Sequence, residues 1–252
     1  MSQAKGRVSA VENVDLQIRS GSTLALVGKS GSGKSTLARC LALLERADSG
    51  EVWFCGTNLL TLRQSQLKPI RRDIQIIFQH SATALNPRFT AAEIVSEPLR
   101  IQGITEKQKC RERAVAMLEK VGIPVRSMHR SSLEFSGGQR QRIAIARALI
   151  LQPKLIILDE ALSGLDLPLQ AQIAGMLLTL QASLALSYLF ISHDLQTAAR
   201  LAGTLAVMER GRIVETGNTS ELLARPLHPA TRELIASVPR MPSSAAGPAT
   251  VP

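Results

Sequence analysis

Residues 28–36 of this 252-residue chain read Gly28-Lys29-Ser30-Gly31-Ser32-Gly33-Lys34-Ser35-Thr36, fitting the pattern G-x-x-x-x-G-K-[ST]. The apolar run Leu24 to Val27 before it predicts a strand, and Thr36 to Leu44 after it predicts a helix. Three glycines, Gly28, Gly31 and Gly33, permit backbone conformations that side chains forbid, so successive N–H groups can face one chain of phosphates. The dipole and free N–H groups at the start of the following helix favour the same anion. In such a loop Lys34 reaches the β- and γ-phosphates of a nucleotide, and the Ser35 hydroxyl ligates Mg²⁺.

Further along, Leu155, Ile156, Ile157 and Leu158 run into Asp159 and Glu160. Four aliphatics ending in two carboxylates suit a central parallel strand that delivers charge at its C-terminal edge. Asp159 is then placed to hold Mg²⁺ through its water shell, and Glu160 is the candidate general base for an attacking water. Alone, a strand ending in Asp-Glu is equally well a solvated turn; the phosphate loop upstream decides between them.

Between these elements lies Phe135-Ser136-Gly137-Gly138-Gln139, followed by Arg140-Gln141-Arg142. Ser136 can cap the apolar helix Arg142 to Ile150, and paired glycines let N–H groups approach a phosphate. With these three elements the chain resembles the ATP-binding-cassette (ABC) family, whose signature motif this phrase matches. The resemblance implies a P-loop α/β fold: a mostly parallel sheet flanked by helices, an inserted helical subdomain and an N-terminal antiparallel β element. It implies two ATP molecules, each with Mg²⁺, sandwiched in a head-to-tail dimer, where Ser136, Gly137, Gly138 and Gln139 meet the γ-phosphate held by the partner. An aspartate at Gly138 is expected to block that closure. Gln79, after Asp73-Ile74-Gln75-Ile76-Ile77-Phe78, matches the glutamine loop, which touches Mg²⁺ and the water. Asp166 matches the aspartate loop that crosses the dimer interface, and His193 matches the switch histidine on the γ-phosphate. Singly each has a bland reading as a polar strand end, a turn carboxylate or a satisfied histidine; their order and spacing favour the family's roles.

The chain further resembles the peptide and nickel importer branch, through Arg71 to Gln79, Leu85-Asn86-Pro87-Arg88, Glu97-Pro98-Leu99, Leu169 to Ile173 and Pro226-Leu227-His228-Pro229-Ala230-Thr231. The similarity runs from about residue 8 to 239. It implies an ATPase that energises solute import, most like the second ATPase of a nickel- or dipeptide-type system. Its partners would be a second, different ATPase subunit, two transmembrane permeases and, indirectly, a substrate-binding protein, with the chain peripheral on the cytoplasmic face of the inner membrane. A soluble cassette serving an enzyme assembly, as in phosphonate breakdown, is the alternative. Three departures stand out. No Phe, Tyr or Trp precedes Trp53, so adenine must rest on aliphatics such as Val8 or Val11, or on the partner, with modest affinity and weak discrimination against GTP expected. His80-Ser81 and Gly164 replace the branch's usual Asp-Pro and alanine.

The formal charge of +10, with Lys107, Lys109, Arg111 and Arg113 close together, raises a nucleic-acid reading. Spacing at every second residue wraps those four around a helix, Glu106 and Glu112 interrupt them, and aromatics at 3% leave no stacking platform. No nucleic acid is expected; a polyanionic nucleotide and an anionic membrane face account for the charge. Cys40, Cys55 and Cys110 have no metal-ligand spacing, as expected of reduced thiols, and Met1 to Ser9 lacks a signal-peptide pattern. Leu167 to His193 contains no Asp, Glu, Lys or Arg, long enough to span a bilayer. Pro168 and the polar residues Gln170, Gln172, Gln181, Ser183 and Ser187 resolve it instead into an amphipathic helix, with Ile173, Met176, Leu177 and Leu180 inward, and a strand Tyr188 to Ser192. Strand and helix signals alternate over 1–88 and about 153–226, within core segments 1–88 and 153–239, while helical patterns such as Glu106 to Val121 fill 89–152. The expected organisation is a core of two segments with a helical lobe between them, and a disordered Pro/Ala/Ser tail over 240–252.

Overall fold

The computed structural model describes residues 9–237; the proposed tail and Val8 lie outside them. Strand β1 (Thr23–Val27) leads into helix α1 (Lys34–Leu41), the short strands β2 (Trp53–Phe54) and β3 (Thr57–Asn58), helix α2 (Leu67–Asp73) and strand β4 (Ile74–Ile77). Three helices follow: α3 (Ala91–Ile101), α4 (Lys107–Lys120) and α5 (Gly137–Leu149). The chain then alternates β5 (Leu155–Asp159), α6 (Leu167–Leu184), β6 (Ser187–Ser192), α7 (Leu195–Leu201) and β7 (Thr204–Glu209), and finishes with β8 (Arg212–Asn218), α8 (Thr219–Ala224) and α9 (Pro229–Ala236).

Six strands form one sheet in the order β4-β5-β6-β1-β7-β8. The first five run parallel, and β8 returns antiparallel along β7. The antiparallel element anticipated for the N-terminal part is the pair β2–β3, placed after α1. The antiparallel edge β8 had no forewarning: its sequence, Arg-Ile-Val-Glu-Thr-Gly-Asn, is mostly polar and half-buried to exposed, with Ile213 and Val214 packed on opposite clusters, as suits an edge strand.

Period-two alternation sends the sheet's side chains into two apolar clusters. Leu24, Leu26, Ile157, Leu189, Ile191, Ala206 and Met208 join Leu37 and Ala38 of α1 on one face. Ala25, Val27, Ile156, Leu158, Tyr188, Phe190, Leu205 and Val207 pack on the other face with α3 to α7. Strands buried on both sides explain their unbroken aliphatic runs. Tyr188 is fully buried and donates its hydroxyl to the Leu177 carbonyl at 3.1 Å, which satisfies a polar group deep in the core.

Helix α1 starts two residues earlier than its periodicity predicts and ends sooner, with Leu43 at φ +58° beyond it. Helix α4 matches its prediction within a residue at each end, stopping before Gly122 at φ +78°. Helix α6 buries Ile173, Leu177 and Leu180 with Met176 packed alongside, as predicted. Among the described residues no helix is long and apolar enough to cross a membrane. Helices α3, α4 and α5 pack on one another, and α5 also meets β4. The signature helix is thereby held against the strand that leads to Gln79.

Candidate active site

Parallel strands with one register bring their C-terminal ends to a common edge. Val27 pairs with Ser192, Ile191 with Asp159, and Ile77 with Leu158. The residues that follow, Gly28, His193, Glu160 and Gln79, therefore emerge side by side from four adjacent strands. These are the residues singled out from sequence, and the sheet alone collects them.

Crowding shapes the loop 28–33. A Cβ at Gly28 would stand 2.2 Å from the Met208 carbonyl oxygen, and one at Gly33, where φ is +104°, would stand 2.2 Å from that of Ala10. Both contacts are with backbone, which cannot swing aside, so these positions demand glycine. Gly31 has φ +76° with open space around it, so there conformation alone makes the demand. Lys34 is 4% exposed, and its ammonium donates to the carbonyls of Gly28 at 2.8 Å and Lys29 at 2.9 Å. Burial pulls its pKa below the usual lysine value, opposed by the charges of Glu160 and Asp159. The loop thus wraps a positive centre already in place.

Ser35 donates its hydroxyl to Asp159 Oδ1 at 3.0 Å, so the two expected Mg²⁺ ligands meet. Burial pushes the Asp159 carboxyl above the ordinary range; the hydrogen bond from Ser35 works against that rise. One hydroxyl and one buried carboxylate fit Mg²⁺, which keeps several waters and takes its remaining oxygens from phosphates. Glu160 sits at φ +49°, its N–H donating to the Ile191 carbonyl at 3.0 Å and its carbonyl accepting the Ser163 hydroxyl at 2.7 Å. A left-handed kink directly after Asp159 turns Glu160 away from it. Glu160 Oε2 lies 3.4 Å from His193 Nδ1, joining the proposed base to the proposed switch. Gln79 is exposed in a turn after β4.

The signature residues form a capping box: Ser136 Oγ accepts the Gln139 N–H at 3.3 Å, and Gln139 Oε1 accepts the Ser136 N–H at 3.0 Å. Helix α5 therefore begins at Gly137, five residues before its apolar run. Ser136 and Gly137 are exposed, whereas Gly138 is buried, and a Cβ there would lie 2.6 Å from Leu169 Cδ1. Asp166 is the exposed N-cap of α6, accepting the Leu169 N–H at 2.9 Å. Among the described residues no hydrogen bond links 136–139 to the loop 28–36.

Two contacts escaped the sequence reading. Gln141, 3% exposed, donates to the Ala161 carbonyl at 2.8 Å and ties α5 to the segment after Glu160. A glutamine on the apolar face of α5 was the available signal. Lys29, in the phosphate loop, pairs with Glu233 of α9 at 2.6 Å, a contact across 204 residues that no local pattern announces. Val11, one aliphatic considered for adenine, packs against the cluster that contains α1.

A glycine loop around a buried lysine, a Ser–Asp pair beside it and a glutamate–histidine pair next door define a nucleotide-hydrolysing P-loop cassette. Residues 11–163 match the ABC transporter family, and the chain belongs to that family, whose cassettes bind and hydrolyse ATP. It is 47% identical over 232 residues to the glutathione import ATP-binding protein GsiA of Salmonella choleraesuis, and equally to that of Escherichia coli. These matches cover 92% of this chain but 37% of either relative. Among solved structures it is similar to the ATP-binding cassette MJ0796 in a dimeric post-hydrolysis state bound to ADP and Pi: TM-score 0.76, 29% identity, 87% of this chain and 94% of that one. CbiO1 of Clostridium perfringens, part of the transporter complex cbiONQ, gives TM-score 0.79 and 27% identity over 86% of this chain and 84% of that one.

Proposed function

We propose that the chain is the ATP-hydrolysing subunit of a membrane importer of the peptide and nickel branch, acting as one half of an ATP-clamped dimer. The convergence of Lys34, Ser35, Asp159, Glu160 and His193 at one sheet edge carries this reading. The glutathione import proteins to which the chain is similar support an import role, and the dimeric cassette supports the clamp.

In this reading loop 28–36 wraps the phosphates, and the Lys34 ammonium moves from the loop carbonyls toward the γ-phosphate. Ser35, Asp159 and Gln79 would hold Mg²⁺, which when bound would supply positive charge against the phosphates. Glu160 orients the attacking water and takes its proton, and His193 fixes the γ-phosphate. Ser136, Gly137 and Gln139 complete the partner's site, with Gly138 setting the backbone against Leu169 and Asp166 crossing the seam. Catalysis is then positioning and charge neutralisation at a site closed to all but the attacking water. Residues 89–152 form the lobe that passes motion to the permease. Two permeases, a substrate-binding protein and a second, different ATPase are the expected partners at the cytoplasmic face of the inner membrane.

Glu160→Gln tests the reading. It should bind ATP yet lose turnover by about 10²–10⁴-fold, the share of a general base, and accumulate as an ATP-bound dimer in gel filtration. Unchanged hydrolysis would remove Glu160 from that role. Affinity purification from native membranes should recover permeases; recovery of soluble enzymes instead would identify an enzyme-assembly cassette.

A further inference from the structure

The segments after His193 and after Asp166 serve different sites in the proposed dimer: His193 the chain's own nucleotide, Asp166 the partner's. Inside one chain they are joined through three side chains. Asp194, the N-cap of α7, accepts the Thr197 hydroxyl through Oδ2 at 2.5 Å and the Gln196 N–H through Oδ1 at 2.9 Å. Its own N–H donates to Ser192 Oγ at 2.9 Å, next to the end of β1 in the sheet. The Thr197 hydroxyl also faces Gln170 Oε1 at 3.3 Å, and Gln170 Nε2 donates to the Leu165 carbonyl at 3.0 Å, one residue before Asp166. Thr197 is 8% exposed, so water cannot easily replace these partners.

The hydroxyl has one hydrogen and two acceptors. Held toward Asp194 it braces the His193 turn; swung toward Gln170 it braces the Asp166 turn. From this geometry we propose that Thr197 and Gln170 are positioning residues that couple the two turns, so that the state of one nucleotide site in the dimer is transmitted within the chain to the other. Movement of the α7 N-terminus as His193 engages a phosphate changes which acceptor takes the hydrogen, and with it the support of the Leu165–Asp166 backbone. Neither side chain touches the nucleotide. This inference rests on the composite-site reading above.

The test is ATP hydrolysis by the 252-residue chain, in the dimer it forms with itself or with the second ATPase, over a range of ATP concentrations. Thr197→Val keeps the shape and removes the hydroxyl; Thr197→Ser keeps the hydroxyl. Thr197→Val should lower kcat about five- to tenfold, the effect of one buried hydrogen bond, with KM little changed and the Hill coefficient reduced to about 1, the non-cooperative limit. Thr197→Ser should restore both. Gln170→Leu, at a half-buried and more tolerant position, should reproduce the loss of cooperativity and decides the matter if Thr197→Val does not fold. Wild-type cooperativity in Gln170→Leu and in folded Thr197→Val, or a Thr197→Ser chain as impaired as the valine variant, overturns the proposal. ATP-driven dimerisation of Glu160→Gln separates the two failures. A dimer that forms while the Thr197 and Gln170 variants behave as wild type sinks only the coupling; a chain that dimerises neither with itself nor with the second ATPase recovered beside it sinks the composite site and the coupling with it.

Discussion

The two glycine turns that the proposed dimer sets on one phosphate chain are built in opposite ways. Loop 28–36 is enforced from inside: the backbones of Met208 and Ala10 leave no room for a Cβ at Gly28 or Gly33, and Lys34 is buried against the loop's own carbonyls. The turn 136–139 is satisfied by its own capping box, and nothing lies within 4 Å of a Cβ at Gly137. One turn is shaped entirely by contacts within a single chain. The other looks like an ordinary helix start, because in the proposed dimer its ligand arrives on a second chain.

The largest expected effect breaks the first turn and spares the second. Gly33→Ala forces a side chain into φ +104° and onto the Ala10 carbonyl, which should cost about 2–3 kcal/mol and abolish nucleotide binding. Gly137→Ala should stay within about 0.5 kcal/mol of wild type. Thermal unfolding and binding of a fluorescent ATP analogue check both; equal stability of the two variants would refute the contrast. An aspartate probe of dimer closure belongs at Gly137 rather than Gly138. At Gly138 it would displace the Leu169 side chain inside its own chain, whereas at the first position of α5 a negative charge suits the helix dipole and would act only on the partner's phosphate.

The buried carboxylate beside the first turn gives the next effect. Burial holds the Asp159 pKa above the ordinary carboxylate value, so the folded chain keeps that proton more tightly than the unfolded one. Stability without nucleotide therefore falls as pH rises from the ordinary value through the raised one. Asp159→Asn should remove that slope and raise Tm near pH 7 by about 2–4 °C, while shrinking the extra stabilisation given by MgATP. An unchanged pH profile would mean that Asp159 is not the group responsible.

The same contrast explains what the sequence revealed. The β1–loop–α1 unit and the strand ending in Asp159 were legible because local geometry and an aliphatic run buried on both faces leave strong patterns. Glu160 was legible from its own strand, and Gln79 and His193 through the family resemblance; the parallel sheet then brings the three strand ends together. Ser136 to Gln139 and Asp166 were legible through family resemblance alone; within this chain each performs an N-cap that countless helices share. The edge strand β8 was missed because its only aliphatics, Ile213 and Val214, are adjacent in a polar run and so carry no alternation. The Lys29–Glu233 and Thr197–Gln170 contacts depend on tertiary packing between segments far apart in sequence.

The smallest effect sharpens the comparison most. Ser136 has a cap to make inside the chain and, in the proposed dimer, a phosphate to meet outside it, and three variants separate the two. Ser136→Ala loses both and should lower stability by only about 0.5–1 kcal/mol. Ser136→Thr keeps the cap and the hydroxyl and should retain most activity. Ser136→Asp caps α5 as well as serine does but sets a negative charge toward the partner's phosphate, so stability returns while ATP-driven dimerisation and turnover stay lost. If turnover instead follows stability, recovering in the aspartate variant, then Ser136 is a cap and nothing more, and the second turn owes its form to the helix it starts.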